Sequence, residues 1–261
     1  MNILCIGDIV GRPGRNAVKD SLADLVNEFA VDFVTVNAEN SAGGFGLTSR
    51  IAEELFDMGC DFITLGDHVW DKMEIAEYLA KSDRMIRPAN FPEGTPGRGW
   101  TVVKTSTGKK IGVINLLGRV FMRYNVDCPF RTLEAAIAEI RKETSIIIVD
   151  MHAEATSEKV ALGFFADGKV SAVVGTHTHI QTADEKILPN GTAYITDLGM
   201  TGPYDSVIGQ NKDIIIKRFL TSMPEKFEVA TEDVWLHGAV IGIDEKTGKA
   251  HNITRIKRRK A

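Results

Sequence analysis

The chain has 261 residues, 44% of them apolar, and a formal net charge of −4 at neutral pH. That length supports one large core or at most two small domains. With no composition shift, internal repeat or convincing linker, a single domain over 1–261 is expected. The acidic balance, with a pI near 5.9, excludes a general nucleic-acid binder.

The basic run Arg255-Ile256-Lys257-Arg258-Arg259-Lys260 reads as a solvated terminus, with attraction of phosphate-bearing ligands as the alternative. Cys5, Cys60 and Cys128 form an odd set with no C-x-x-C spacing. They give no disulfide framework or zinc knuckle and fit a reducing cytoplasm. The first eight residues lack a basic segment, and their apolar stretch is too short for a signal peptide or a membrane span. A soluble, cytoplasmic protein with no membrane partner is expected.

In chain order, residues 3–6 form a short apolar strand ending at Gly7-Asp8. The Gly/Pro-rich stretch 9–15 is expected as a loop leading into a helix. Val18, Leu22, Leu25, Val26 and Phe29 recur along that helix at core-facing spacing. Neither G-x-G-x-x-G nor a P-loop pattern is present, so the loop serves to present Asp8 at the strand's carboxyl end. A second strand, 33–36, runs into Asn37-Ala38-Glu39-Asn40-Ser41-Ala42-Gly43-Gly44-Phe45-Gly46. Polar residues followed by glycines suit a loop that folds closely around a ligand, an ordinary Asn/Gly turn being the plainer reading. Ile51, Leu55 and Met58 mark a helix that stops at Gly59. A third strand, 62–65, ends in Gly66-Asp67-His68-Val69-Trp70-Asp71, and Ile75, Ala76 and Leu79 give a short helix. Residues 88–99 are an irregular loop, a candidate lid or substrate wall.

The rhythm then changes. Residues 101–104 and 110–115 flank Thr107-Gly108-Lys109 as a hairpin, which predicts a second or mixed sheet. Stretch 117–130 is another loop, and Leu133, Ile137 and Ile140 give a helix. The apolar strand 146–149 ends in Asp150-Met151-His152-Ala153-Glu154-Ala155. A further buried strand, 170–174, stops at Gly175 and is followed by Thr176-His177-Thr178-His179. In an extended segment alternate side chains share a face, so both imidazoles can address one point. Imidazole is the commonest nitrogen ligand of transition metals, although a histidine pair can also cap a strand through hydrogen bonds. After a turn at 187–191 come a strand at 193–196, an opening at 197–203, a helix at 214–220 and a closing antiparallel unit, 229–243 with 250–256.

Five strand ends thus carry Asp8, Glu39-Asn40, Asp67, His152, and His177 with His179. Open α/β sheets bind ligands at the carboxyl ends of their strands. Carboxylates and an amide mixed with three histidines, without cysteine, favour manganese, iron or zinc over magnesium or calcium. The set is too large for one four-coordinate ion and suits two ions sharing a carboxylate.

These segments, together with Arg87-Pro88-Ala89-Asn90-Phe91-Pro92, the stretch from His152 to Glu158 and Asp197-Leu198-Gly199-Met200-Thr201-Gly202-Pro203, resemble the calcineurin-like metallophosphoesterases. More closely, over nearly the whole chain, they resemble the YmdB family of bacterial cyclic-nucleotide phosphodiesterases. The resemblance implies a four-layer α/β/β/α sandwich with mixed sheets and a dinuclear metal centre, iron or manganese first and zinc next. Asp8, Asn40 and His179 would hold one metal; Asp67, His152 and His177 the other; Glu39 would bridge. His68 would be the catalytic general acid, and the metals would activate water for in-line attack on a cyclic nucleotide of the 2′,3′-cyclic AMP type. A homo-oligomer is a further expectation of the family. Asp67 departs from its usual pattern, which has Asn at that position. The added charge should hold the second metal more tightly and make it a weaker Lewis acid. Poly-γ-glutamate capsule proteins share the early Gly-Asp and the late Gly-x-His-x-His, and an amidohydrolase barrel is a third option. The close match at His152-Ala153-Glu154-Ala155 argues against the former, and the late position of His177 and His179 against the latter. The non-enzymatic alternative is a metal-dependent nucleotide-binding regulatory protein with little or no turnover.

Overall fold

Residues 1–259 are described by a computed structural model. Strand alternation places every second side chain on opposite sheet faces, and the sequence is apolar on both faces of most strands. Such strands need cover on both sides. The result is two mixed sheets packed face to face, with helices outside each.

The first sheet runs β2 (Asp8–Ile9), β11 (Met200–Pro203), β12 (Val234–Ile243), β1 (Asn2–Ile6), β3 (Phe33–Asn37) and β4 (Phe62–Thr64), with β13 (Ala250–Arg259) also paired to β12. The second runs β5 (Trp100–Lys104), β6 (Lys110–Leu117), β7 (Ile147–His152), β8 (Ala172–Thr176), β10 (Ala193–Ile195) and β9 (Lys186–Ile187). Strands β1, β3 and β4 are mutually parallel, as are β6, β7, β8 and β10. Their carboxyl ends therefore gather along one rim.

Parity sorts the core into three layers. Leu4, Ile6, Val34, Val36 and Ile63 face helices α1 (Gly11–Glu28), α2 (Ser49–Asp57) and α3 (Ile75–Lys81). Ile3, Cys5, Phe33 and Phe62 face the other way, onto Ile111, Val113, Ile148 and Val174 of the second sheet. On its far face, Ile114, Leu116, Ile147, Val149 and Val173 pack under α4 (Pro129–Ile140) and α5 (Thr156–Ala166). The α/β/β/α sandwich expected from the sequence is present. A sixth helix, α6 (Lys212–Thr221), buries only Ile215 and lies outside the layers. Among the described residues, no helix is long and apolar enough to cross a membrane.

Three segments differ from expectation. The 9–15 stretch is not a free loop, because α1 begins at Gly11. Pro13 falls in the first turn, where its missing N–H would have had no helical partner. Residues 200–203 form a strand, pairing Met200 with Asp8 and Thr201 with Ile9. Asp150 and His152 lie within β7 rather than beyond it, paired to Asn115 and Leu117 of β6.

Buried in β12, His237 is hydrogen-bonded to the Tyr204 hydroxyl at 2.6 Å, while its Nε2 has no partner. Burial, aided by Lys257 and Arg255, lowers its pKa to about 4. The folded state thus resists a proton that the unfolded chain accepts below about pH 6.5. Stability should fall as pH drops from 6.5 through 4, by up to about 3 kcal/mol from this residue. Urea titrations of wild type and His237→Gln across that range should show the flatter profile in the variant; parallel profiles would refute the assignment.

Candidate metal centre

The polar character of the rim follows from the same parity. Along β7, Ile148 faces the inter-sheet core, and so do Asp150 and His152. Along β3, β4 and β8, the corresponding positions are Asn37, Thr64 and Thr176. Asp150 is buried and accepts from Thr64 Oγ1 at 2.5 Å, Thr176 Oγ1 at 2.6 Å and Asn37 Nδ2 at 3.0 Å. Burial raises its pKa to about 6 against these donors.

This network orients His152. The Thr176 hydroxyl gives its one proton to Asp150, so it accepts from His152 Nδ1–H, 2.9 Å away. Nε2 is then turned to Glu39 Oε1 (3.0 Å), Asp67 Oδ1 (3.2 Å) and His177 Nδ1 (3.0 Å). His177 Nδ1 is also 3.3 Å from Asp67 Oδ1, and its Nε2 is 3.2 Å from Glu154 Oε2. One ligand atom each from Glu39, Asp67, His152 and His177 lies within 4.8 Å of the others. That compactness suits a single ion with mixed nitrogen and oxygen donors.

A second group adjoins it. His179 Nδ1 faces the Ile208 carbonyl at 2.9 Å, and a carbonyl only accepts, so the ring donates there. Its Nε2 lone pair turns to Asn40 Nδ2 at 3.2 Å and Asp8 Oδ1 at 3.9 Å. Rotating the Asn40 amide by half a turn would put its oxygen at the same place. Asn40 Nδ2 is also 3.3 Å from Glu39 Oε1, so Glu39 touches both groups. Asp8 Oδ1 is fully buried without a hydrogen-bond partner. A buried, unpartnered carboxylate oxygen beside an imidazole lone pair is satisfied by a cation. The donor set therefore fits metal ions.

Electrostatics agree. Burial works against a charged His152, yet Glu39 and Asp67 raise its pKa well above the usual value. Burial pushes Asp67 up, but hydrogen bonds with His152 and His177 outweigh it and hold the carboxyl well below the ordinary range. Glu39 is lowered as well, His152 overcoming burial, whereas burial raises Asp8. The carboxylates thus call for positive charge at this point.

The backbone is shaped for this convergence. A Cβ on Gly66 would come within 2.4 Å of Glu39 Oε2 and of the His152 ring, and one on Gly175 within 1.7 Å of the Thr196 carbonyl. His177 and His179 adopt φ of 97° and 64°. Such conformations cost about 1–3 kcal/mol each and persist where the surroundings over-determine them. Here the His177 N–H donates to Asp8 Oδ2 at 3.1 Å, and the Thr178 N–H and hydroxyl both donate to Asp197 Oδ2. Asp197 is in turn paired with the buried Lys159 at 2.7 Å.

All eight sequence-derived residues thus meet at one rim. His68 stands beside the cluster, its N–H on Glu39 Oε2 at 2.9 Å and its Nδ1 2.8 Å from Asp71 Oδ2. Asp71, Lys159, Thr176 and Asp197 escaped the sequence reading as functional residues. Lys159 had a readable signal: it shares the spacing of the buried Leu162, Gly163 and Ala166 on α5.

With a double-sheet sandwich and a carboxylate–imidazole cluster at its rim, the chain has the calcineurin-like metallophosphoesterase fold. Residues 4–256 match the family described as YmdB-like protein, and the chain belongs to that family. It is 53% identical over 256 residues to the 2′,3′-cyclic-nucleotide 2′-phosphodiesterase of Bacillus subtilis (strain 168), covering 98% of this chain and 96% of the relative. The crystal structure of a hypothetical protein from Thermus thermophilus superposes with a TM-score of 0.93 at 38% identity, covering 100% of both chains. A novel phosphatase from Mycoplasma pneumoniae also gives 0.93, at 36% identity over 99% of this chain and 93% of that one.

Removing one partner of a buried ion pair strands the other, at about 3–5 kcal/mol. Lys159→Met should lower unfolding stability by that order in urea titration, and a loss below about 1 kcal/mol would show that Asp197 finds other compensation.

Proposed function

We infer that the chain is a hydrolase of phosphodiester bonds, a metal-dependent phosphodiesterase acting on 2′,3′-cyclic nucleotides. The observation that supports this best is the convergence of Glu39, Asp67, His152 and His177 on one point, with Asp8, Asn40 and His179 alongside. Kinship with the Bacillus subtilis enzyme supplies the substrate class. Asp8, Asn40 and His179 would hold one metal ion and Asp67, His152 and His177 another, with Glu39 between them; iron or manganese suits these donors. When bound, such ions neutralise charge on the phosphodiester and make water more acidic.

The remaining work falls to the chain's own groups. Glu39, Asn40, His177 and His179 line one side of a cavity of about 610 Å³ that includes His68. Asp71 accepts from Arg123 at 2.9 Å on one oxygen and faces His68 Nδ1 with the other. Burial opposes its ionisation, but these two partners lower its pKa, so it stays a carboxylate. It therefore accepts a hydrogen bond from the Nδ1–H of His68, which turns Nε2 to the cavity as the atom that would pass a proton to the leaving ribose oxygen. Phe45 packs edge-on against the His68 ring, with centroids 5.0 Å apart, and limits its rotation. The backbone bond to Glu39 fixes the acid relative to the cluster.

The same reading keeps the chain as one domain in the cytoplasm, with three free cysteines, and as a homo-oligomer. The exposed Ile216, Phe219 and Leu220 of α6 give apolar surface for assembly, and light scattering of the purified protein would measure its mass.

Hydrolysis of bis-p-nitrophenyl phosphate and 2′,3′-cyclic AMP, with metal content measured in parallel, tests this assignment. His152→Ala should lose both metal and turnover. His68→Ala should keep its metal and lose at least about 100-fold in kcat. Wild type that holds two metals per chain yet turns over neither substrate would instead be a binding protein. For Asp67, removal of one negative charge by Asp67→Asn should weaken retention of the second ion in a chelator titration. Unchanged retention would show that the carboxylate charge does not tighten the site.

A further inference from the structure

The three imidazoles of the candidate centre are each held by the nitrogen that faces away from it, and each in a different way. His152 rests on the Thr176 hydroxyl at 2.9 Å, itself bonded to the buried Asp150. His179 donates to the Ile208 backbone carbonyl at 2.9 Å, a partner without charge. His177 meets a carboxylate directly, with its Nε2 3.2 Å from Glu154 Oε2. Its Nδ1, on the inner side of the same ring, is 3.0 Å from His152 Nε2 and 3.3 Å from Asp67 Oδ1. Glu154 thus stands behind the ring, outside the four groups that converge on one point.

The local chain puts it there. Glu154 lies two residues past His152, between the end of β7 and the start of α5 at Thr156. Ala153 is fully buried, and its N–H donates to the Thr176 carbonyl at 3.4 Å. The residue before Glu154 is thereby tied to the residue before His177. Gly118 lets this segment come close, since a Cβ there would lie 2.5 Å from that of Ala153. From the other side, His177 is fixed by its N–H on Asp8 Oδ2. The Glu154 side chain itself is half-exposed and lines the cavity together with His177.

A surface contact between a glutamate and a histidine contributes little by itself. Behind a metal ligand the same contact has another effect. A carboxylate accepts, so the ring proton belongs on Nε2 and the Nδ1 lone pair is left for an ion. The charge behind the ring also adds electron density to the donor nitrogen, and partners of this kind change metal affinity about 10–100-fold.

We propose that Glu154 is a positioning residue for the second metal, fixing the proton of His177 on Nε2 and strengthening Nδ1 as a donor. The proposal rests on the metal assignment above and not on the substrate. Glu154 acts through His177, whose ion is shared with Asp67 and His152, so it leaves the ion at Asp8, Asn40 and His179 unchanged. Because solvent screens a half-exposed pair, the effect belongs at the lower end of that range.

The test is removal of manganese by stepped EDTA from loaded wild type, Glu154→Ala and Glu154→Gln, with manganese per chain measured by atomic absorption. Wild type should release its two ions in two steps. Glu154→Ala should release one of them at about tenfold lower EDTA and the other at the wild-type concentration. Glu154→Gln, whose amide oxygen still accepts from Nε2–H, should fall between the two. Neither step moving, both moving equally, or Glu154→Gln releasing as early as Glu154→Ala would overturn the proposal. Turnover is read separately. Wild type that holds manganese but hydrolyses neither bis-p-nitrophenyl phosphate nor 2′,3′-cyclic AMP refutes the phosphodiesterase reading, while the EDTA steps still decide the role of Glu154. Wild type that holds a single ion refutes the two-metal reading, and Glu154→Ala must then shift that one step for the proposal to stand. Wild type that holds none overturns both.

Discussion

The site depends on one buried ion pair. Lys159, from α5, donates to the Thr176 carbonyl and to Asp197 Oδ2, both at 2.7 Å. The other oxygen of Asp197 takes the Gly199 N–H at 2.8 Å. Two chain reversals, the one carrying His177 and His179 and the one entering β11, are thereby fastened to each other and to a helix. Burying a charge pair is costly and gives little net stability. Here it holds a non-glycine backbone in left-handed conformations that the local sequence would not choose. Its role is positional: the pair fixes where two imidazoles stand.

The same economy governs the layer between the sheets. Its apolar part, from Ile3 and Phe33 to Ile148 and Val174, binds the sheets together. One step further along the same faces come Asn37, Thr64, Asp150 and Thr176, which settle the tautomer of His152. No loop has to be invented to carry this shell, because strand parity delivers it. Since strands are stiffer than loops, the nitrogen of His152 is placed with the precision of the core itself.

Much of this was legible in the sequence, for a physical reason. Period-two apolar runs ending in Gly-Asp or Gly-Thr-His identify both the strands and their chemical ends, so all eight candidate residues could be named from spacing and resemblance. Context was harder to read. The 9–15 stretch looks like a loop because Gly and Pro usually break helices, yet Pro13 is harmless in the first turn of α1. Met200–Pro203 reads as an opening because its pairing partner, Asp8–Ile9, lies almost two hundred residues away. Lys159 and Asp197 are ordinary surface residues by type, and only their burial makes them structural.

The position of β12 has a consequence for biosynthesis. This strand, formed by residues 234–243, lies in the middle of the first sheet between β1 and β11. A nascent chain that has not reached Val234 therefore holds β1 with one open edge and β11 without its antiparallel neighbour. Exposed edges of this kind are templates for unwanted pairing. Asp8, the first candidate ligand to leave the ribosome, then waits for a strand formed by residues 234–243. The candidate site is in this sense assembled late: its first strand end is held in place only once residues 234–243 have paired back onto residues 2–6.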